Sequence, residues 1–281
     1  MISEFDSKIV LGDCRNVLKN LDNEIFQCCV TSPPYWGLRD YGIIGQIGAE
    51  MELQDYINNL VKLFREVRIT LKKDGTLWLN IGDSYTSGNR KWRQTDEKNP
   101  ARAMSYRPPT PKGLKPKDLV GIPWRLAFAL QNDGWYLRSD IIWYKPNCQP
   151  ESVKDRPTQA HEYLFLLSKS PKYFYDYDAI KEPAINGTMR NKRSVWSINT
   201  EPYKGSHFAT FPPHLIEPCI LAGSHENDII LDPFMGSGTV AEVCIQLNRK
   251  YYGIEKKEEY LHLANNRIDA AICKASMQLA F

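Results

Sequence analysis

The chain has 281 residues, 42% of them hydrophobic, and a formal net charge of +3. That length buries one large core, or one core with a small appended module, and leaves no room for a second independent enzyme. No apolar run approaches the roughly 18 residues that cross a bilayer, and residues 1–11 lack the basic start and apolar stretch of a secretory signal, so a soluble, cytoplasmic protein is expected.

The first apolar stretch predicts a strand over 8–12, closing on Leu11-Gly12-Asp13. A second strand over 24–31 runs straight into Thr31-Ser32-Pro33-Pro34-Tyr35-Trp36. Two successive prolines neither continue a central ladder nor start a helix at once, so the strand stops there and presents Ser32 and Tyr35 at its carboxyl edge. In an open α/β sheet that edge is where ligands bind. The residues alone are also compatible with an ordinary Pro-Pro turn carrying a packed aromatic ring. The chemistry they suit is narrower. A serine hydroxyl and a proline carbonyl accept hydrogen bonds from an exocyclic amine, and a tyrosine ring offers a stacking face to a base turned out of its helix.

Over 52–71, Leu53, Ile57, Leu60, Phe64, Val67 and Leu71 recur at spacings of four and three, an apolar helical stripe stopped by Lys72-Lys73-Asp74-Gly75. A strand over 75–82 follows. Residues 90–117 then carry nine basic side chains against two acidic ones, a local balance of +7, together with five prolines and almost no apolar periodicity. The segment reads as a long mobile loop, either simply solvated or in contact with phosphate. A helix over 118–132 and strands over 136–144 and 162–168 come next. Residues 171–206, rich in Tyr, Asn, Lys and Arg and interrupted by Pro183 and Gly187, break the rhythm as a functional insertion would.

A strand over 228–232 leads into Leu231-Asp232-Pro233-Phe234-Met235-Gly236-Ser237-Gly238-Thr239 and a helix over 239–248. The glycines permit close backbone approach to a ligand, and the helix start offers unpaired N–H groups. No Gly-Lys-Ser/Thr ending follows, which excludes a nucleotide P-loop. The next strand, 250–255, ends on Glu255, about 20 residues beyond the glycine turn, the distance at which an acidic side chain receives ribose hydroxyls. Glu255 is also compatible with an acidic first-turn residue of a helix over 256–274. Strands alternating with helices, several of them too apolar for a wet face, point to an α/β fold with a largely parallel sheet. The seven cysteines are odd in number and contain no C-x-x-C pair, so reduced, packed thiols are expected and no metal site.

Taken together, Ser32-Pro33-Pro34-Tyr35 and Asp232-Pro233-Phe234-Met235-Gly236-Ser237-Gly238-Thr239 resemble the amino-methyltransferase family of bacterial and phage DNA enzymes. Their order, catalytic tetrapeptide before cofactor turn, resembles its circularly permuted beta group. The resemblance implies a Rossmann-like fold dependent on S-adenosylmethionine, with a mostly parallel mixed sheet and a small target-recognition insertion. Residues 1–170 and 207–281 would form the catalytic domain and 171–206 the recognition region. It further implies that Ser32, Pro33, Pro34 and Tyr35 handle the target base, and that Asp13 binds the cofactor adenine and Glu255 its ribose. Phe211, Asp232, Phe234, Gly236, Ser237, Gly238 and Thr239 would border the rest of the cofactor. Asp13 alone is compatible with a turn residue, and His207 alone reads as a packed or surface histidine, since this chemistry needs none.

In the family, serine at the head of the tetrapeptide usually accompanies methylation of cytosine N4 and aspartate that of adenine N6. The resemblance therefore implies cytosine N4, with adenine N6 as the alternative. Duplex DNA is the implied partner. Arg90, Lys91, Arg93, Arg102 and Arg107 on the basic loop would grip phosphates. Arg190, Lys192 and Arg193 in the insertion would meet the target, arginine being suited to bidentate contact with guanine. A monomer or homodimer is expected, with or without a cognate restriction endonuclease. An RNA or protein methyltransferase, or a DNA-binding module without activity, are the competing readings; the basic loop argues against the first and the intact motifs against the second.

Overall fold

The computed structural model describes residues 7–86, 108–201 and 211–278. In chain order the strands are β1 (Lys8–Leu11), β2 (Phe26–Thr31), β3 (Leu71–Ile81), β4 (Tyr136–Tyr144), β5 (His161–Ser168), β6 (Glu182–Pro183), β7 (Met189–Arg190), β8 (Val195–Ser197), β9 (Ile229–Asp232) and β10 (Lys250–Glu255). The helices are α1 (Cys14–Val17), α2 (Leu53–Thr70), α3 (Ile122–Asn132), α4 (Pro213–Gly223), α5 (Thr239–Gln246) and α6 (Glu258–Gln278).

Eight strands form one sheet in the order β1-β10-β9-β2-β3-β5-β4-β8, and β6 and β7 form a separate hairpin. Within the large sheet only β5 runs against its neighbours. The expected mixed, mostly parallel sheet is thus present. Because seven strands point one way, the ends of β1, β2, β3, β9 and β10 share one edge. The start of the reversed strand β5 lies there too.

Helices cover both faces, as the unbroken apolar runs require. Every residue of β2 is buried. Alternation then divides the side chains: Phe26, Cys29, Leu77 and Leu79 face one core with α2 and α3. Cys28, Val30 and Trp78 face the other with α4 and α5. The stripe read on α2 is buried as Leu53, Ile57, Leu60, Phe64 and Val67. Each such side chain contributes about 1.5–3 kcal/mol by leaving water, so docking rather than intrinsic propensity holds this helix.

Several boundaries moved for identifiable reasons. The helix expected from 118 starts at Ile122, because Gly121 adopts φ +76° and Pro123 occupies the first turn. Its N-terminus is capped from a distance by Asp83, which accepts from Gly121 N (3.0 Å) and Ile122 N (3.0 Å). The second strand starts two residues late because Glu24 turns with φ 60°. The expected strand over 75–82 extends back to Leu71, where pairing with β2 resumes across a bulge between Phe26 and Cys28. Helix α4 was not read from the sequence. Its prolines at 213 and 218 mask it, although Pro213 occupies the first turn, where a missing N–H costs nothing.

Part of the basic segment is folded rather than loose. Its described end is tied down where Thr86 N donates to Asp118 O (2.9 Å), Val120 N to Ser84 O (2.9 Å) and Thr86 Oγ1 to Lys115 O (2.7 Å). The insertion is likewise knitted into the sheet. Strand β8 pairs with β4, and Ile180 and Trp196 are buried in the second core. What projects is the β6–β7 hairpin.

Candidate active site

Strands β2 and β9 lie side by side, Cys29 opposite Leu231, so the two sequence motifs leave the sheet together. Thr31 Oγ1 donates to Asp232 Oδ1 at 2.7 Å, joining the residue before Ser32 to the first residue of the glycine turn. Beyond that bond a single cleft opens. Ser32, Pro33, Pro34 and Tyr35 line one side, while Asp232, Phe234, Gly236, Ser237, Thr239 and Glu255 line the other. Asp13 and Phe211 border it as well. Of the expected cofactor residues Gly238 alone stands back. It takes φ +82°, and a Cβ there would lie 3.0 Å from Ala264 on α6. Glycine at 238 therefore allows the turn and α6 to pack at backbone distance.

On the glycine-turn side, Glu255 receives Gly236 N (2.8 Å) and Lys257 N (2.8 Å). Burial nevertheless pushes its carboxyl above the ordinary value. Asp232 is more enclosed, at 1% exposure. Burial raises its carboxyl to about 7, against the hydrogen bonds from Thr31 and Phe234 N that favour the ionised form. Asp13 has the opposite balance. It accepts from Arg15 N (3.0 Å) at the start of α1 and pairs with Arg15 (2.5 Å) and Lys256 (3.0 Å). The Arg15 guanidinium holds it well below the usual carboxylate range.

Residues 38–47 fold over this end of the cleft, a contribution the sequence reading missed. Arg15 Nη2 donates to Gly45 O (2.8 Å) and Lys256 Nζ to Ile44 O (3.1 Å). Tyr41 meets Tyr260 edge-on with centroids 6.3 Å apart. The available signal was the recurrence of glycine at 37, 42, 45 and 48, every one with positive φ.

On the tetrapeptide side, Tyr35 is half-buried, its hydroxyl directed inward. That hydroxyl donates to Glu162 Oε2 (2.7 Å) and accepts from Asn80 Nδ2 (2.9 Å). Asn80 Nδ2 also reaches Glu162 Oε2 at 3.0 Å. Lys145 pairs with the other carboxylate oxygen. Ser32 Oγ makes only long contacts, 3.4 Å to both Tyr35 Oη and Asn80 Nδ2, so its lone pairs stay largely uncommitted. Pro34 O already accepts from Tyr56 Oη (2.9 Å). This narrows the carbonyls offered to a ligand toward Pro33. Asn80, Lys145 and Glu162 belong to no short motif; the one hint was an amide inside the apolar run of β3.

Of the basic residues singled out, Arg90, Lys91, Arg93, Arg102 and Arg107 lie outside the described residues, as does His207. The insertion's three gather beside the hairpin. Arg190 (3.1 Å) and Arg193 (2.9 Å) both pair with Glu182, and Lys192 lies over the Trp196 ring, 5.0 Å from its centroid. Among the described residues no cluster of three or more His, Cys, Asp or Glu is placed to hold a metal. No helix there is long and apolar enough to cross a membrane.

A family model described as DNA methylase, N6_N4_Mtase, matches residues 26–266. The chain belongs to this DNA methylase family. As a DNA methylase it acts on DNA and transfers a methyl group, as the two motifs implied. The Type II methyltransferase M.SmaI of Serratia marcescens is 67% identical over 263 residues, spanning 93% of this chain and 90% of that protein. M.Cfr9I of Citrobacter freundii, also a Type II methyltransferase, is 61% identical over 92% of this chain and 86% of its own. Among solved structures, the PvuII DNA methyltransferase (cytosine-N4-specific) superposes with a TM-score of 0.71 at 19% identity, covering 96% of the DNA methylase and 92% of that chain. The M1.HpyAVI–SAM complex gives 0.58 at 20% identity, covering 93% and 98%. At such identities the likeness establishes the fold.

Proposed function

We propose that the DNA methylase transfers the methyl group of S-adenosylmethionine to the N4 amine of cytosine within a short recognition sequence in duplex DNA. The observation that carries this reading is the Thr31–Asp232 hydrogen bond, which opens Ser32-Pro33-Pro34-Tyr35 and the glycine turn onto one cleft. The donor set fits the cofactor. Carboxylates at Asp13, Asp232 and Glu255 suit ribose hydroxyls and cationic groups, and the glycine turn lets backbone approach closely. When bound, the cofactor supplies an electrophilic sulfonium methyl. The protein's share is to bring the amine in line with it and to stabilise positive charge developing on nitrogen.

Ser32 Oγ and Pro33 O accept the amine's two hydrogens, which frees the nitrogen lone pair. Tyr35 provides the stacking face for the extruded base. Serine at position 32 favours cytosine N4, as does the specificity printed for the PvuII enzyme of the same fold. No cysteine nucleophile is involved. Cys28 and Cys29 are buried thiols on β2, and burial pushes both upward, Cys28 to about 12.

Arg190, Lys192 and Arg193 on the insertion approach the target sequence, and the basic residues of 90–117 grip phosphates. The Type II relatives favour a restriction endonuclease of the same specificity as companion, in a bacterial cytoplasm. The test is incorporation of labelled methyl from S-adenosylmethionine into duplex DNA, RNA and peptide, followed by sequencing that separates methylcytosine from methyladenine. Label in duplex DNA as N4-methylcytosine is expected. Methyladenine would overturn the assignment of the base, and label in RNA or peptide alone the assignment of the substrate.

A further inference from the structure

Tyr35 is held by Asn80 and Glu162 on β3 and β5, backed by Lys145 just past the end of β4, and no motif announces them. Asn80 on β3 stands opposite Leu164 on β5, and Glu162 lies two residues before Leu164. Trp143 on β4 stands opposite Glu162, and Lys145 lies two residues beyond Trp143. With side chains alternating along a strand, Asn80, Glu162 and Lys145 share one face at the active edge as diagonal cross-strand neighbours. β5 is the reversed strand, so its first residues rather than its last reach this edge.

We infer that Glu162 is a positioning residue for methyl transfer, fixing the Tyr35 ring by accepting its hydroxyl while Asn80 and Lys145 hold the carboxylate in place. The inference rests on the reading of Tyr35 as the stacking face for the base. Four observations carry it. The phenol is engaged on both sides, donating to Glu162 (2.7 Å) and accepting from Asn80 (2.9 Å), so the ring can neither swing nor slide without breaking a bond. Glu162 also fixes Asn80: the amide turns its NH₂ toward the carboxylate at 3.0 Å, since the reverse would set oxygen against oxygen.

Third, an ion pair sits where a purely structural strand end would need none. The Lys145 and Glu162 side chains are only 16% and 17% exposed, and Lys145 also covers the Trp143 ring, 4.1 Å from its centroid. Holding both charges out of water costs free energy that an apolar pair would avoid. Fourth, the space behind the ring is kept clear, since a Cβ on Gly82 would lie 2.7 Å from Tyr35 Cε2. The phenol stays protonated, because burial and the Glu162 charge push it well above its ordinary value. It therefore keeps the hydrogen it donates.

The test is a double-mutant cycle on the single-turnover rate of methyl transfer to duplex DNA. Tyr35→Phe and Glu162→Ala should each slow transfer by about tenfold, and the double variant should be no slower than the worse single one. Cofactor affinity should stay within about twofold throughout. In a Lys145→Met background, where no ammonium competes for the amide oxygen, Glu162→Gln, whose oxygen still accepts from the phenol, should recover most of the loss. Additive losses, a parallel loss of cofactor affinity, or a Gln variant as slow as Ala would each overturn the inference. Glu162→Ala strands the Lys145 charge, so the cycle is repeated with Glu162→Ala/Lys145→Met in place of Glu162→Ala, which leaves neither ion without its partner.

A second readout is independent of turnover. With 3-fluorotyrosine at position 35, the fluorine resonance of the free enzyme should shift or broaden on Glu162→Ala, and an unchanged line would overturn the hold on the ring. Should the wild type methylate no DNA, the functional reading falls while the fluorine result still decides whether Glu162 fixes Tyr35.

Discussion

Asp232 ends β9 with its carboxylate enclosed, one oxygen taking hydrogen bonds from Thr31 and Phe234 N. Its position about 7 stands above the ordinary 3.8 because burial opposes the charge and Glu255 adds to it. A raised carboxyl favours the protonated folded state. Its stabilising contribution is complete below about pH 4 and is lost as pH rises through about 7. Urea titrations from about pH 4.5 to 8 should therefore show wild type losing stability relative to Asp232→Asn as pH rises, by a few kcal/mol at most. A constant difference would mean that Asp232 does not titrate there. A cationic cofactor bound beside it would draw the same group toward its ionised form. Cofactor affinity should accordingly weaken as pH falls through about 7, and calorimetry on Asp232→Asn should find that slope gone. Tyr35→Ala separates the other function: turnover should fall on the order of 100-fold with cofactor affinity kept, whereas Asp232→Ala should weaken the cofactor directly. Equal loss of affinity in both would contradict these roles.

At the level of elements, the end of β3 and the start of β5 set the space in which Tyr35 sits. Gly82→Ala tests this without touching a polar group. Its Cβ would intrude on the ring edge, so methyl transfer should slow by about tenfold or more and stability should fall by about 1–3 kcal/mol, while cofactor affinity changes little. The strands that carry the site were legible from their apolar runs, and the motifs from proline and glycine, because these residue types constrain backbone wherever they occur. Asn80, Lys145 and Glu162 were not legible. Their meaning arises from register across three strands, one of them reversed, and register between distant segments leaves no local pattern. Helix α4 was hidden for a related reason: it is apolar nearly all round, packed between β2 and α5, and shows no stripe. The folded end of the basic segment was missed because its order comes from partners at Ser84 and Thr86.

For the molecule as a whole, charge and topology decide how the substrate is met. A net +3 with a local +7 over residues 90–117 concentrates attraction for phosphate in one segment. Duplex affinity should fall linearly with the logarithm of salt concentration, and each of Arg90, Arg93 or Arg107 that contacts a phosphate should reduce the slope by about 0.9 when replaced by alanine. Filter binding across a salt series checks this, and an unchanged slope would place that arginine off the DNA. The sheet itself is divided. β1, β9 and β10 end on the glycine-turn side of the cleft, while β2, β3, β4 and β5 surround the tetrapeptide.

The two halves touch through the Thr31–Asp232 contact at the β2/β9 seam. A hydroxyl whose acceptor gains or loses a proton reports that change one residue upstream of Ser32. Were occupancy on one flank to alter the other through this bond, thermodynamic linkage would make the influence mutual. Whatever factor S-adenosylmethionine adds to the grip on the duplex, the duplex must return to S-adenosylmethionine.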